Sequence, residues 1–485
     1  MAKERLHQYS GGVRYEVVAG MALFTVYLIT ATLDYRQSPD NLAIIAPAWS
    51  LASDGTLDVD EYRGVYAWFV ENDGHVVSNR LPGAILWATP FYWVFGQGGD
   101  FAPIWPGAVA SAAAATLAVL FMYGSLRSLA CRRTALVASA CFGLASPTWS
   151  VSADGMWTHG PAQMLITLSL LLYARERLAG GGLAQAGAIV VRPHLAVVPA
   201  VMGLWEGFRR RSLRPVVVVA ATSSLGIFSL LLYYRLLYDG WTLSGGYGAE
   251  GGYDLGERLD GRRRFVRNVV GSFISPGRGI LVYTPFLVLL LPGLISAWRV
   301  APVWVKSAAL GAVPYAAVQL WNNDFSGGLA GFFPYRLMIE PLTLATPLLL
   351  LAYETWTRKH RGRFLSFWAL TFWTFAWHVA GAVTPPVELG QTRDPFDETL
   401  YDDVFRSQPL LTSLALTGAL VAWIVLRSRV TTDKRVEALD LHQPRGGSAR
   451  HQIAPNANCV APSDARERSE ATPDGGREGV STPKR

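Results

Sequence analysis

Three cysteines in 485 residues cannot staple a fold. Cys131 adjoins a basic loop, Cys141 lies in an apolar segment and Cys459 in a polar tail; none has metal-ligand spacing, so all three read as ordinary thiols. Charge is scarce too. At 16% charged against 51% hydrophobic, the chain falls outside the range of soluble enzymes and among polytopic helical membrane proteins. The net charge of +7 does not gather into one stripe, because Arg and Lys sit in short clusters between apolar segments. A nucleic-acid partner is therefore excluded. Gly-rich stretches at 245–252 and 327–331 lack both the Lys and the strand–turn–helix setting of a phosphate loop. The DxD pattern in Asp58-Val59-Asp60-Glu61 has no nucleotide-binding α/β domain around it and reads as a solvated acidic loop. No internal repeat of solenoid or inverted-transporter type is present.

What is abundant is apolar and aromatic. The 17 Trp and 19 Tyr suit the headgroup region, where a ring is dry on one side and wet on the other. Segments able to cross about 30 Å of hydrocarbon occur near 17–33, 102–125, 134–151, 160–174, 214–237, 279–297, 303–321, 336–353, 364–383 and 409–426. Lys3, Arg5 and Arg14 before Val17–Leu33 read as an uncleaved signal anchor with the N-terminus inside. Alternation then puts every later basic cluster on the cytoplasmic side, provided two segments do not cross singly. Residues 82–96, with Pro82 and Pro90, are read as an interfacial helix. Residues 183–205 are read as two half-helices turning at Arg192-Pro193-His194, since a mid-membrane Arg costs roughly 3 kcal/mol.

The expected fold class is thus an all-α polytopic membrane protein, a bundle of roughly ten spans plus a short hairpin. Juxtamembrane helices are expected in the first outer loop, 34–101, with other outer loops at 152–159, 238–278, 322–335 and 384–408. Residues 1–427 form the transmembrane domain, and 428–485 are expected to be a disordered cytoplasmic tail. Both termini are then cytoplasmic.

Chemistry-bearing residues concentrate in the outer loops. Asp40 follows Ser38-Pro39 and opens a segment with Leu42, Ile45 and Trp49 at helical spacing, which Pro47 should kink. From spacing alone, an acid that merely begins a surface helix and an acid that works in a site are equal readings. Asp34 and Arg36 flank it and also fit a simple surface ion pair. Arg80 precedes a Pro-Gly turn instead of lying on a helix face, which favours function over interfacial snorkelling. Asp154 and His159 occupy the second outer loop, and Arg278 and Arg336 sit at outer borders, where positive charge runs against the inside bias.

The order of these elements resembles the GT-C superfamily of membrane glycosyltransferases: a carboxylate just past the first span, a juxtamembrane helix ending in an Asp-Gly turn (SLASDGTLDV), a basic residue before Pro (NRLPG) and an apolar stretch closing on Phe-Gly (VFG). It is most similar to the protein O-mannosyltransferase and lipid A aminoarabinose-transferase branch and its actinobacterial envelope-glycan counterparts. The resemblance covers about residues 17–178, with looser echoes in GSFISPGRGILVYTP at 271–285 and GFFPYR at 331–336. Asn41 follows Asp40 where many members carry an Asp-Glu pair, and Arg80 stands where relatives often carry Lys. These departures bear on the substrate more than on the reaction class.

The resemblance implies a GT-C-like catalytic bundle in the plasma membrane, an inverting transferase. It would move a sugar from a polyprenyl-phosphate donor to an envelope glycan, lipid or protein acceptor on the outer face. Asp40 would be the base, and one carboxylate suffices because a phosphate leaves readily without a general acid. Arg80 would hold the departing phosphate. Asp154 or His159 would lend a second polar group, and Asp34, Arg36, Arg278 and Arg336 would complete the substrate contacts. No organic cofactor is implied, and a divalent metal is left open. The alternative is a transporter or flippase of lipid-linked sugars. Such proteins place charge near the bilayer midplane, whereas the spans here read as nearly free of charge apart from Arg192.

Overall fold

Two short structural signals, Ser38-Pro39 and Asp73-Gly74, decide how the segment after the first helix folds. The computed structural model describes residues 2–33, 38–65, 68–96, 98–243, 261–326, 331–385, 389, 396 and 398–440. Helix α1 (Ala2–Thr30) leads to α2 (Pro39–Ser53), where Ser38 Oγ caps the Asp40 amide at 3.2 Å and Pro39 takes the first helical position. Pro47 lies inside α2, and Asp54 ends the helix. Strands β1 (Phe69–Asn72) and β2 (His75–Ser78) pair antiparallel across Asp73-Gly74, both with positive φ. That is the two-residue hairpin turn whose left-handed geometry Asp-Gly favours. The described chain is otherwise almost wholly helical, in line with the all-α expectation, and this two-stranded hairpin is the small exception. The signal was present in NDGH, but the hydrophobic alternation beside it is too short to stand out.

The next element, α3 (Pro82–Phe95), is a 14-residue helix, too short to cross a bilayer. It packs on α2 and on α4 (Ile104–Leu126). An Ala-rich face of α4, with Ala110, Ala112, Ala114, Ala115 and Ala118 fully buried, lets neighbouring helices close in. These are α5 (Arg132–Leu144) and α6 (His159–Ala174), separated by a π turn at Thr148–Ser152. Helix α7 (Leu178–Val191) stops where Arg192 adopts an extended conformation, a 3-10 turn covers Pro193–Ala196, and α8 (Val197–Arg210) follows. Gln185 on α7 reaches Met202 Sδ on α8 at 3.1 Å, so the two run back side by side. The break falls at the expected Arg-Pro. Both pack against α9 (Arg214–Tyr238).

Beyond the 244–260 stretch, which is outside the described residues, come α10 (Gly261–Ile274), α11 (Ile280–Tyr283), α12 (Leu294–Val300), α13 (Val303–Asn322), α14 (Ile339–Ala352), α15 (Arg361–Gly381), α16 (Leu400–Ser407) and α17 (Pro409–Asp440). The continuous span expected at 279–297 is corrected to α11, 3-10 turns at Pro285–Leu289 and Leu291–Gly293, and α12. Pro285 and Pro292 each remove a helical N–H there. Helix α17 also continues past residue 428, where disorder was expected to begin, as far as Asp440. Residues 441–485 of that tail are outside the described residues.

Among the described residues, α4, α9 and the Pro409–Val430 part of α17 are long and apolar enough to cross a membrane. The other segments read as spans are helical but shorter, interrupted or more polar.

Candidate active site

The Asp40 carboxylate sits in the first turn of α2 and is held from both sides. Arg80 Nη2 donates to Oδ1, and Arg336 Nη1 donates to Oδ2 at 2.8 Å. Each guanidinium also lies over an aromatic ring: Arg80 is 4.3 Å from the Trp68 centroid, and Arg336 is 5.0 Å from Trp157 and 5.2 Å from Phe332. Flat, delocalised cations stack on rings in this way while their edges fork onto an anion. Side-chain exposures of 21% for Asp40, 13% for Arg80 and 17% for Arg336 leave the group reachable from outside.

Local structure brings the partners in from far apart along the chain. Ser78 Oγ donates to the Ala43 carbonyl and accepts the Arg80 amide, tying the end of β2 to α2. The Asn79 amide bonds the Trp68 carbonyl at 2.9 Å, which sets the ring under Arg80. Gly83, just beyond, presses on the far side: a Cβ there would lie 2.6 Å from Val191 N and 2.7 Å from Val190 C. Only glycine fits at that distance.

Arg336 reaches Asp40 from a loop that Arg278 braces. Arg278 is 4% exposed, and its guanidinium donates to the carbonyls of Phe332, Pro334 (3.1 Å) and Leu389 (3.3 Å) while lying 4.1 Å from the Phe332 ring. The side chain is committed to backbone carbonyls and braces the loop that carries Arg336. Asp154 likewise has partners within the protein. Its Oδ1 accepts from Thr32 N and Thr32 Oγ1, both at 2.9 Å, and so seals the end of α1 to the loop after the π turn. Asp34 and Arg36 lie outside the described residues.

His159 stands between the clasp and a second carboxylate. Its Nδ1 is 2.8 Å from Glu340 Oε1, and Arg192 Nε lies 3.4 Å from the same oxygen. Arg192 further donates to Tyr315 Oη at 3.1 Å, Thr158 Oγ1 at 2.9 Å and Gln319 Oε1 at 3.1 Å. Glu340 is fully buried and His159 is 3% exposed. The helix break after Val191 is what delivers Arg192 to this triad. The expectation that Arg192 alone carries charge inside the apolar segments is thereby corrected. Glu340 was legible as the sole acid in the 336–353 run, and Trp68 and Trp157 had no signal beyond their aromaticity.

Burial pushes the Asp40 carboxyl up, but the Arg80 guanidinium and then that of Arg336 outweigh it and hold it below the usual carboxylate range. Asp40 is therefore ionised at neutral pH and able to accept a proton or to keep two arginines parked until another anion competes for them. Among the described residues, no group of three or more His, Cys, Asp or Glu side chains is placed to hold a metal ion. No known family model, curated protein or solved structure matches the chain.

Proposed function

We propose that this chain is an inverting glycosyltransferase of the plasma membrane, with roughly ten spans, cytoplasmic termini and the Asp40 site open to the outer face. Its donor is a sugar on a polyprenyl phosphate, and its acceptor is an envelope glycan, a lipid or a protein. The observation that carries this reading is the clasp of one carboxylate between two stacked guanidiniums. As an acceptor hydroxyl attacks the anomeric carbon, a new C–O bond forms and Asp40 takes the hydroxyl proton. The bond from that carbon to the phosphate oxygen breaks, and the phosphate departs with the electron pair.

Arg80 and Arg336 serve in two states. At rest they neutralise Asp40; with donor bound, they give their forks to phosphate oxygens through charge-assisted hydrogen bonds. Drawing them away relieves the depression of the Asp40 pKa, so donor binding itself makes the base stronger. The test is to incubate membranes holding the wild type or Asp40→Asn with a panel of polyprenyl-phosphate sugars and to identify products by mass spectrometry. Full turnover by the Asn variant removes Asp40 as base.

A transporter or flippase of lipid-linked sugars is the second reading, favoured by the buried Glu340–Arg192–His159 triad, since charge deep in a helical bundle often marks a path. Movement of a labelled lipid-linked sugar across vesicles holding purified protein, with no glycan product, would put this reading first.

A further inference from the structure

Away from Asp40, a cavity of about 510 Å³ opens between α5, the broken Pro285–Leu290 stretch, α14 and α15. It is a slot open to the surface on one side, not an enclosed void. Its cause is visible in the sequence. The prolines that break 285–293 keep a continuous helix from filling the space. The walls are aliphatic and aromatic, with Phe142, Phe286, Leu342, Leu349, Phe367 and Trp368 among them.

One end differs from the rest. Arg133 and Arg358 line the chamber where α5 begins and α14 has run into its terminal π turn, the end remote from Arg336. Arg358 is already fixed, with Nη1 at 3.0 and 2.9 Å from the two Glu354 oxygens. Arg133 is exposed. The lining runs from Leu342 on α14 to Tyr353 at the start of the π turn, about 16 Å of helix, close to half of the hydrocarbon thickness of about 30 Å. An apolar slot one leaflet deep with a cation at its mouth matches an amphiphile: a chain for the walls and an anionic group for the guanidinium.

We propose that this chamber holds one acyl chain of an anionic membrane phospholipid whose phosphate rests against Arg133. The depth selects a chain of leaflet length over a longer polyprenyl tail, and the single-ended charge sets its direction. The inference needs the chain to lie in a bilayer but is independent of sugar transfer, so either can fail alone.

The test uses the full-length protein in phosphatidylcholine nanodiscs doped with a phosphatidate carrying a photoactivatable acyl chain. Mass spectrometry should place crosslinks on peptides covering 133–146 and 342–353, and excess unlabelled phosphatidate should compete while extra phosphatidylcholine does not. Arg133→Gln, on the surface, should lower labelling about fivefold, as the loss of one basic contact to an anionic lipid predicts, with no change in the unfolding midpoint. Leu349→Trp, which fills the slot, should abolish labelling. Crosslinks absent from these peptides, equal labelling by a photoactivatable phosphatidylcholine, no response to Arg133→Gln, or stronger competition by polyprenyl phosphate than by phosphatidate would each overturn the assignment. If Leu349→Trp does not fold, the Arg133→Gln and headgroup comparisons decide alone.

Discussion

Asp40 and Glu340 each face an arginine and a second basic side chain, one carboxylate at the rim and the other in the interior. Asp40 is 21% exposed and its partners sit on aromatic rings. Glu340 has no exposure, and its partner Arg192 is tied down by Tyr315, Thr158 and Gln319. A salt bridge near water adds little stability but is easily exchanged for another anion. A buried one adds little net stability over an apolar substitute, yet breaking it strands a charge and is costly. Similar chemistry thus yields an exchangeable site at the rim and a fixed foundation behind it.

The sharpest way to break this contrast is Asp40→Asn. Transfer should fall by about 10²–10⁴-fold, the range of a lost general base, while the unfolding midpoint of the purified protein barely moves; a large loss of stability with activity intact would reverse the assigned roles. Glu340→Ala should show the opposite pattern, a loss of about 3–5 kcal/mol, read by thermal unfolding and lower yield of folded protein. Next come Arg80→Lys and Arg336→Lys, which keep the charge but lose the planar fork. Each should raise the KM for a polyprenyl-phosphate donor about tenfold, the equivalent of one charge-assisted bond of about 1.5 kcal/mol, with stability unchanged.

The smallest effect concerns pH. The folded Asp40 carboxyl binds its proton less tightly than the unfolded one. The clasp therefore stabilises fully above the ordinary Asp range and loses that contribution as pH falls through the lower folded value. Arg80→Gln should move this loss to higher pH, which unfolding midpoints measured across the acid range would register.

Much of the rim was legible in the sequence because its signals are local. Ser38-Pro39 announces a helix start, Arg80 stands just before the Pro82-Gly83 pair that opens α3, and Arg336 is a charge beside a long apolar run. That Asp40, Arg80 and Arg336 meet was not legible, because 296 residues separate Asp40 from Arg336 and no periodicity encodes such a pairing. The interior triad was half visible: Arg192-Pro193 marked the helix break, but Glu340 was absorbed into an apolar run that could be counted as a span. The partners of Arg278 and Asp154 were not legible for the same reason: backbone carbonyls and the Thr32 donors are met only in the fold.

Gly83 has a consequence that reaches past its own turn. Three residues downstream of Arg80, it rests on the Val190–Val191 peptide unit, one residue short of Arg192. The start of α3, just past Arg80, and the end of α7, just before Arg192, are thus packed backbone against backbone. Even alanine at 83 would force these two backbones apart, and with them the rim and the interior carboxylate sites they support.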